Sequence, residues 1–443
     1  MRDLTAPASA GISGCVKYLS TSAKSVGDEG GGDRWRLALI AATLGYYMMF
    51  AVWPGLFLCA GVSHSQGWFL DSYAILAAND AAVAGMNPYA VNSLDPMGRP
   101  HVYSRWWLEL SSWGWTREDN FMLGGLFVVA FVTAAFCLLR PRSAREAGLY
   151  FMMAGSPAVL LGVERANNDL LIVAILATMV PLLANRREWV RWLALVPWVV
   201  ATLLKFYPAA ALVVLMVGAS RREVVGRTLV AVVLLAWMWP YLRDDYARVS
   251  TIIPRPVGLQ TLGAAQVFVA ANLPKNSAAY CGLLAGAIAG VFFWIKRRGN
   301  VEPGESRWGS EEIAFWLGSV MLLGCFFSGI SYAYRYVYTL LMVPWLWKRA
   351  QGAEPAPPMR RVAGLALGLL LAVVWFDGLV FAVLARLKDV RPLDELVALA
   401  DFLALCWQPV VWVLMLVLLH LVAGHGSRIW GMIRHGGDKR IFG

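Results

Sequence analysis

Apolar runs of roughly 15–25 residues recur along the chain, each closed by a short polar stretch that usually carries Arg or Lys. The runs are continuous and show no strict alternation, so they predict helices in lipid and not the strands of an outer-membrane barrel. They fall at about 36–60, 121–139, 147–162, 169–184, 189–204, then up to Gly218, 226–241, 279–295, 311–328, up to Trp347, 361–384 and 396–422. The pattern predicts an all-α, polytopic membrane protein of about twelve helices. Residues 1–33, rich in Gly, Ser and Ala, predict a disordered cytoplasmic tail. Residues 34–422 form the membrane domain, and 423–443 a basic cytoplasmic tail. The long polar stretch 62–120 is the first outer loop, expected to carry interfacial helices.

Two runs are too short. From Trp189 to Leu204, and again from the residue after Pro208 to Gly218, the chain is apolar over lengths that reach no more than about 24 Å at 1.5 Å per residue, against about 30 Å of hydrocarbon. Such a pair is expected to meet below the surface, with Lys205 at a buried tip. Irregular backbone at that depth needs protein or a cavity around it.

Composition agrees with the pattern. Of 443 residues, 59% are hydrophobic and only 15% charged, and the mean hydropathy is +0.57. Soluble chains carry roughly a quarter charged residues. The net charge of +11 would suggest nucleic acid on a soluble protein. Here, with both termini placed inside, Lys and Arg favour the inner loops by about two to one, as positive-inside topology requires. No nucleic-acid partner is expected. The six Cys are scattered and the five His form no motif, so neither a disulfide framework nor a metal site is expected.

The polar residues at the outer helix ends are the candidates for chemistry. Asp71 follows Trp68-Phe69-Leu70 at the membrane exit. It is either an interfacial N-cap of the Ala-rich helix beginning at Ser72 or a general base at the boundary. Tyr103-Ser104-Arg105-Trp106-Trp107 is an aromatic belt, or an amphipathic helix with Tyr103 and Arg105 on a substrate groove. Glu164-Arg165-Ala166-Asn167-Asn168-Asp169 is a salt-bridged turn or a functional one; charge this close to hydrocarbon favours function. Lys205 needs an anion, supplied by Asp377 or Asp401 in the last two runs or by a lipid phosphate. Arg335, in Tyr332-Ala333-Tyr334-Arg335-Tyr336, and Arg255, in Pro254-Arg255-Pro256, are further phosphate candidates, and tyrosine faces such as Tyr332 suit sugar rings. Gln260 shares the second outer loop with Arg255 and is a plain loop residue or a contact.

Asp71, Tyr73 and Gly85-Met86-Asn87-Pro88-Tyr89 resemble the first outer loop of the glycosyltransferase C superfamily, in particular glycosyltransferase family 87. Glu164-Arg165-x-Asn167-x-Asp169-Leu170-Leu171 resembles that family's turn between its third and fourth spans, and Lys205-x-x-Pro208 its short helical pair. At the tip where members often carry Trp and His, this chain has Tyr332, Tyr334 and Arg335. The resemblance implies an inverting enzyme moving a mannose-like or pentose sugar from a polyprenyl-phosphate donor to a glycan or glycolipid acceptor. The reaction would run on the outer face of a bacterial inner membrane, with Asp71 as base. Lys205, Arg335 and Arg255 would meet the lipid phosphate, Glu164, Arg165 and Asn168 would position the acceptor or the loop, and Tyr103, Arg105, Tyr332 and Gln260 would line the groove. No cofactor is expected beyond the lipid-linked donor; a single carboxylate could hold a divalent ion. The rival readings are a lipid-linked glycan transporter or flippase, and a ligase or polymerase of lipid-linked glycans.

Overall fold

The computed structural model describes residues 11–64, 67–217, 220–254, 258–266, 308–328, 331–352, 357–388 and 390–435, with positions 287 and 290. It is an all-α membrane architecture. The helices, in order, are α1 Gly11–Val52, α2 Leu56–Cys59, α3 Leu70–Val83, α4 Asn120–Leu138, α5 Ala144–Ala154, α6 Pro157–Arg165, α7 Asp169–Ala177, α8 Met179–Leu183, α9 Glu188–Trp192, α10 Leu195–Leu204, α11 Arg221–Val249, α12 Ser310–Phe327, α13 Thr339–Gln351, α14 Pro357–Leu387 and α15 Leu393–His435. Four 3-10 segments, Arg105–Trp113, Arg117–Asp119, Tyr207–Met216 and Ala333–Tyr338, occupy the polar connections or the short pair.

Among the described residues, not every apolar run becomes one long helix. Six helices among the described residues are long and apolar enough to cross, or seven if the bent pair α5–α6 is counted as one span. The others are short because the chain breaks them. Pro157 opens α6 at its first turn, where Ser156 caps it, and bends it 53° from α5. The runs at 169–184 and 189–204 each split in two, and the latter ends in α10, only ten residues long. The run at 279–295 lies outside the described residues. At the N terminus the chain is helical from Gly11, where a disordered tail to residue 33 was expected. No Pro between Pro7 and Pro54 stops a helix nucleated in the apolar run from propagating backwards. At the other terminus α15 likewise continues past residue 422 into the basic tail.

The first loop is built differently from expectation. Its main helix, α3, is buried against α4 and the Arg105–Trp113 segment. Asn79 fixes that contact: its amide donates to the Trp107 carbonyl at 2.8 Å and its oxygen accepts from the Ser111 amide at 2.8 Å. The second loop is stitched to the α12–α13 tip by a short antiparallel ladder, β1 Thr261–Leu262 against β2 Ser331–Tyr332. The core lies between α12, α13 and α14 and under α4 and α7, with Phe315 stacked on Trp345 at 4.1 Å. Apolar side chains remain exposed along α1, α4, α11, α14 and α15, the faces that meet lipid.

Candidate functional site

Five segments converge at one end of the bundle: the start of α3, the loop around Arg99 and Tyr103, the α6–α7 turn, the break after α10, and the 3-10 turn before α13. Opposite this lies the basic end, where Arg191 and Arg227 share Glu223 at 2.6 and 2.9 Å.

The α6–α7 turn is the hinge of the site. Ala166 adopts a left-handed backbone (φ 43°), and the amides of Ala166 and Asn167 bond back to Val163 and Gly162, which terminates α6. Asn167 then faces α3 and Asn168 faces the α10 break. Asn167 Nδ2 donates to Asp71 Oδ2 at 2.6 Å, and its own Oδ1 accepts from the Asp169 amide at 2.9 Å. Asn168 Oδ1 accepts from Lys205 Nζ at 2.6 Å. Two consecutive residues therefore join the carboxylate of Asp71 to the ammonium of Lys205.

Asp71 is not an N-cap. The helix begins at Leu70, after Phe69 in a left-handed conformation (φ 60°), and Asp71 lies inside the first turn with its side chain on the cluster. Its Oδ1 accepts from Arg99 Nη1 at 3.1 Å and from Arg165 Nη1 at 3.4 Å. Arg99 also grips Asp95 through Nε and Nη2, which locks the loop to α3. Burial by itself would lower the Arg99 guanidinium, but Asp95 and Asp71 outweigh it and raise it. Burial, and then the negative charge of Asp71, push the Tyr103 phenol well up, so it stays a protonated donor.

Lys205 sits in extended backbone between α10 and the next 3-10 segment, and is buried, as the short pair predicted. Its protein anion is Asp169, not Asp377 or Asp401. Asp169, in the first turn of α7, also accepts from Tyr207 and faces Arg335 Nε at 3.6 Å. Asp377 instead accepts the Gln260 amide at 3.1 Å, and a side chain at Gly258 would meet Asp401 at 2.7 Å. Asp377 thus holds the second loop, and Asp401 lies against it.

Tyrosines wall the cluster. Lys205 lies over the rings of Tyr103 and Tyr207 at 5.4 and 5.6 Å, Arg165 over Tyr332 at 5.8 Å, and Arg335 over Tyr207 at 4.6 Å. Tyr332 and Tyr334 stack at 5.6 Å. Three buried side-chain atoms here have no hydrogen-bond partner, Glu164 Oε2, Arg165 Nε and Asn168 Nδ2, and Asp169 Oδ2 and Arg335 Nε meet only each other, at 3.6 Å. Buried polar atoms are normally paired, so this concentration sets the cluster apart from an ordinary packed core. The three non-glycine left-handed residues among those described, Phe69, Ala166 and Gln260, also flank it. Strain of this kind, of order 1–3 kcal/mol per residue, gathers at functional sites.

Asp71, Tyr103, Glu164, Arg165, Asn168, Lys205, Tyr332 and Arg335 thus meet in one network. Arg105 does not join it. Its Nε is spent on Asp245 of α11 at 2.6 Å, where Ser104 and the Arg105 amide also donate, so it tethers the loop. Gln260 acts as a brace: its Nε2 donates to the Gly61 carbonyl at 2.7 Å, and its own carbonyl accepts from the Ala333 amide at 2.8 Å. Arg255 lies outside the described residues.

One pair escaped the sequence. His64 Nδ1 lies 2.8 Å from Glu164 Oε1, with the imidazole stacked on Phe57 at 5.0 Å. The partners are a hundred positions apart, and the only signal was the place of His64 just past the first apolar run. Among the described residues no group of three or more His, Cys, Asp or Glu is arranged to hold a metal ion. Comparisons with family models, curated proteins and solved structures find nothing that matches this chain. The chemistry of the site therefore rests on its own geometry.

Proposed function

We propose that the chain is a membrane glycosyltransferase acting at this tyrosine-walled end. The observation that carries the reading is the Asn167–Asn168 bridge, which sets a carboxylate and a buried cation on either side of one turn. The resemblance of the same segments to glycosyltransferase family 87 supports it. In this reaction the acceptor hydroxyl gives its proton to Asp71 as its oxygen attacks the anomeric carbon from the face opposite the leaving group. The bond to the polyprenyl phosphate breaks, and the departing phosphate is met by Arg165, Arg335 and Lys205. Cations fixed in place before the reaction are worth far more in a desolvated site than in water. Lys205 and Arg335 are held by Asp169 in the resting site, so the phosphate competes with Asp169 for them. Tyrosine faces receive the sugar, and the reaction faces away from the basic end.

A second proton acceptor is favoured by one observation. Both oxygens of Asp71 already accept hydrogen bonds, whereas His64 is oriented by Glu164 in the manner of a histidine base. The test is turnover of polyprenyl-phosphate sugars by purified protein in lipid nanodiscs, read as released lipid phosphate. If Asp71 is the base, Asp71→Asn loses about a hundredfold or more and His64→Gln stays within a few fold. The reverse pattern moves the base to His64. No release from any polyprenyl-phosphate sugar by the wild-type protein would sink the glycosyltransferase reading.

A further inference from the structure

At the basic end, away from the cluster, a cavity of about 1220 Å³ opens between α4, α7–α8 and the start of α12. This exceeds the roughly 300–1,000 Å³ of an ordinary ligand pocket. Its walls are small or apolar: Ala130, Ala134 and Cys137 on α4, and Ala174, Thr178 and Pro181 on α7–α8. Cys137, Thr178 and Pro181 are also exposed, so the crevice opens sideways on a face of the bundle that lies in lipid.

The mouth is charged. Arg36, Arg140, Arg142, Lys348 and Arg349 line it, against the carboxylates of Asp33, Glu311 and Glu312. Five cations against three acids leave an excess of two positive charges. The geometry keeps that excess at the rim. Arg36 and Arg140 donate Nε at 3.3 Å to the Phe136 and Cys137 carbonyls, among the last of α4, which anchors both guanidinium groups at the end of the crevice. Glu311 is divided between Arg142 at 2.9 Å and Lys348 at 3.3 Å. Arg349 lies over the Trp345 ring at 5.3 Å.

We propose that this crevice holds one anionic phospholipid, its acyl chain between α4 and α8 and its phosphate among the mouth cations. An apolar slot open to lipid takes a chain, and a rim with surplus positive charge selects an anionic headgroup; basic pockets between membrane helices bind such headgroups. The site is independent of any glycosyl transfer at the other end.

Cys137 provides the readout, because it lines the crevice, while Cys59, exposed just beyond the end of α1 remote from it, serves as an internal control. Full-length protein is reconstituted in nanodiscs of phosphatidylcholine alone or with phosphatidylglycerol. Alkylation by N-ethylmaleimide is followed at each cysteine by peptide mass spectrometry. With phosphatidylglycerol, the Cys137 rate relative to Cys59 is expected to fall about fivefold, as for a site mostly occupied by mass action. The double variant Arg140→Ser, Arg142→Ser is expected to abolish the difference; both side chains are exposed, and neither supports the core. Ala134→Trp, which fills the slot, is expected to abolish the lipid dependence as well. Equal relative rates in the two lipids would overturn the proposal. So would protection by inorganic phosphate in phosphatidylcholine nanodiscs, which would mark a free-anion site, or protection that survives the double serine variant. Should a variant fail to fold, the wild-type comparison and the phosphate control still decide.

Discussion

His101 shows how single residues couple this loop to pH. Its Nε2–H donates to the Ser104 carbonyl at 3.1 Å, and Nδ1 is buried with no partner. Burial holds the imidazole down, to about 4 from the usual 6.5. The folded protein therefore keeps His101 neutral in a range where the unfolded chain has already bound a proton. Stability is unaffected above pH 6.5, falls as pH drops from 6.5 to about 4, and is flat with respect to this group below that. The loss is on the order of 3 kcal/mol. Thermal unfolding in detergent at pH 7.5, 5.5 and 4.5 checks it: His101→Asn should remove most of the slope, and an unchanged slope assigns the effect elsewhere. The buried Lys205–Asp169 pair obeys a different rule. Asp169→Asn leaves the Lys205 ammonium uncompensated and is expected to cost about 3–5 kcal/mol, Lys205→Met costs less because Asp169 keeps Arg335, and the double variant costs clearly less than the two together. Additive losses in that cycle would mean that the pair is not coupled. At this scale the sequence disclosed residues but not partners. Asp71, Glu164, Arg165, Lys205 and Arg335 stood out because charge at an apolar helix end is costly. That Lys205 takes Asp169, 36 positions away, and His64 takes Glu164 depends on which helix ends adjoin, which no local pattern encodes.

Between elements, close backbone approach organises the packing around the site. Gly61 (φ 74°) lies against Gly378 of α14, and a Cβ at Gly61 would stand 1.8 Å from the Gly378 carbonyl oxygen. A Cβ at Gly378 would meet the Pro157 ring at 2.2 Å. The proline that bends α5 from α6 and the glycine that admits it form one joint, and Gln260 braces it through the Gly61 carbonyl. Gly378→Ala is therefore expected to destabilise by about 2 kcal/mol, since overpacking a tight contact typically costs 1–3. Gly364→Ala and Gly368→Ala, on the same helix with open space around them, should be neutral or slightly stabilising. Melting midpoints of the three variants in one detergent give the comparison, and equal midpoints would remove the joint. Here the sequence was informative in part. The short pair around Lys205 was visible from run lengths and is present, whereas the bend at Pro157 came only from the structure. The number of spanning helices was not visible either, because apolar content alone does not show where a run breaks into two short helices. Nor was the burial of α3: its Ala-rich composition reads as interfacial until the Arg105–Trp113 segment is known to cover it.

The whole molecule is polarised, with the tyrosine-walled cluster at one end and most Lys and Arg at the other. By the positive-inside rule the cluster is expected on the outer face, and the proposed reaction depends on that orientation because it draws a lipid-linked sugar from that side. The prediction needs two labels. Ser112 is exposed in the first loop at the cluster end, and Arg187 is exposed between α8 and α9 at the basic end. In intact cells, a membrane-impermeant maleimide should label Ser112→Cys and leave Arg187→Cys untouched until the membrane is permeabilised. Both substitutions lie on exposed positions outside the network, so folding and any activity should be retained within a few fold, as for ordinary surface changes. The native cysteines are the background to subtract, measured on the unsubstituted chain. The reverse labelling would place Asp71 and Lys205 on the inner face and defeat the outer-face reaction, whatever turnover the purified protein shows. The phospholipid crevice would then face the outer leaflet, yet its lipid preference in nanodiscs, which present both faces, would not change. Orientation and lipid binding are thus separable, and the two experiments test the two ends of the molecule independently.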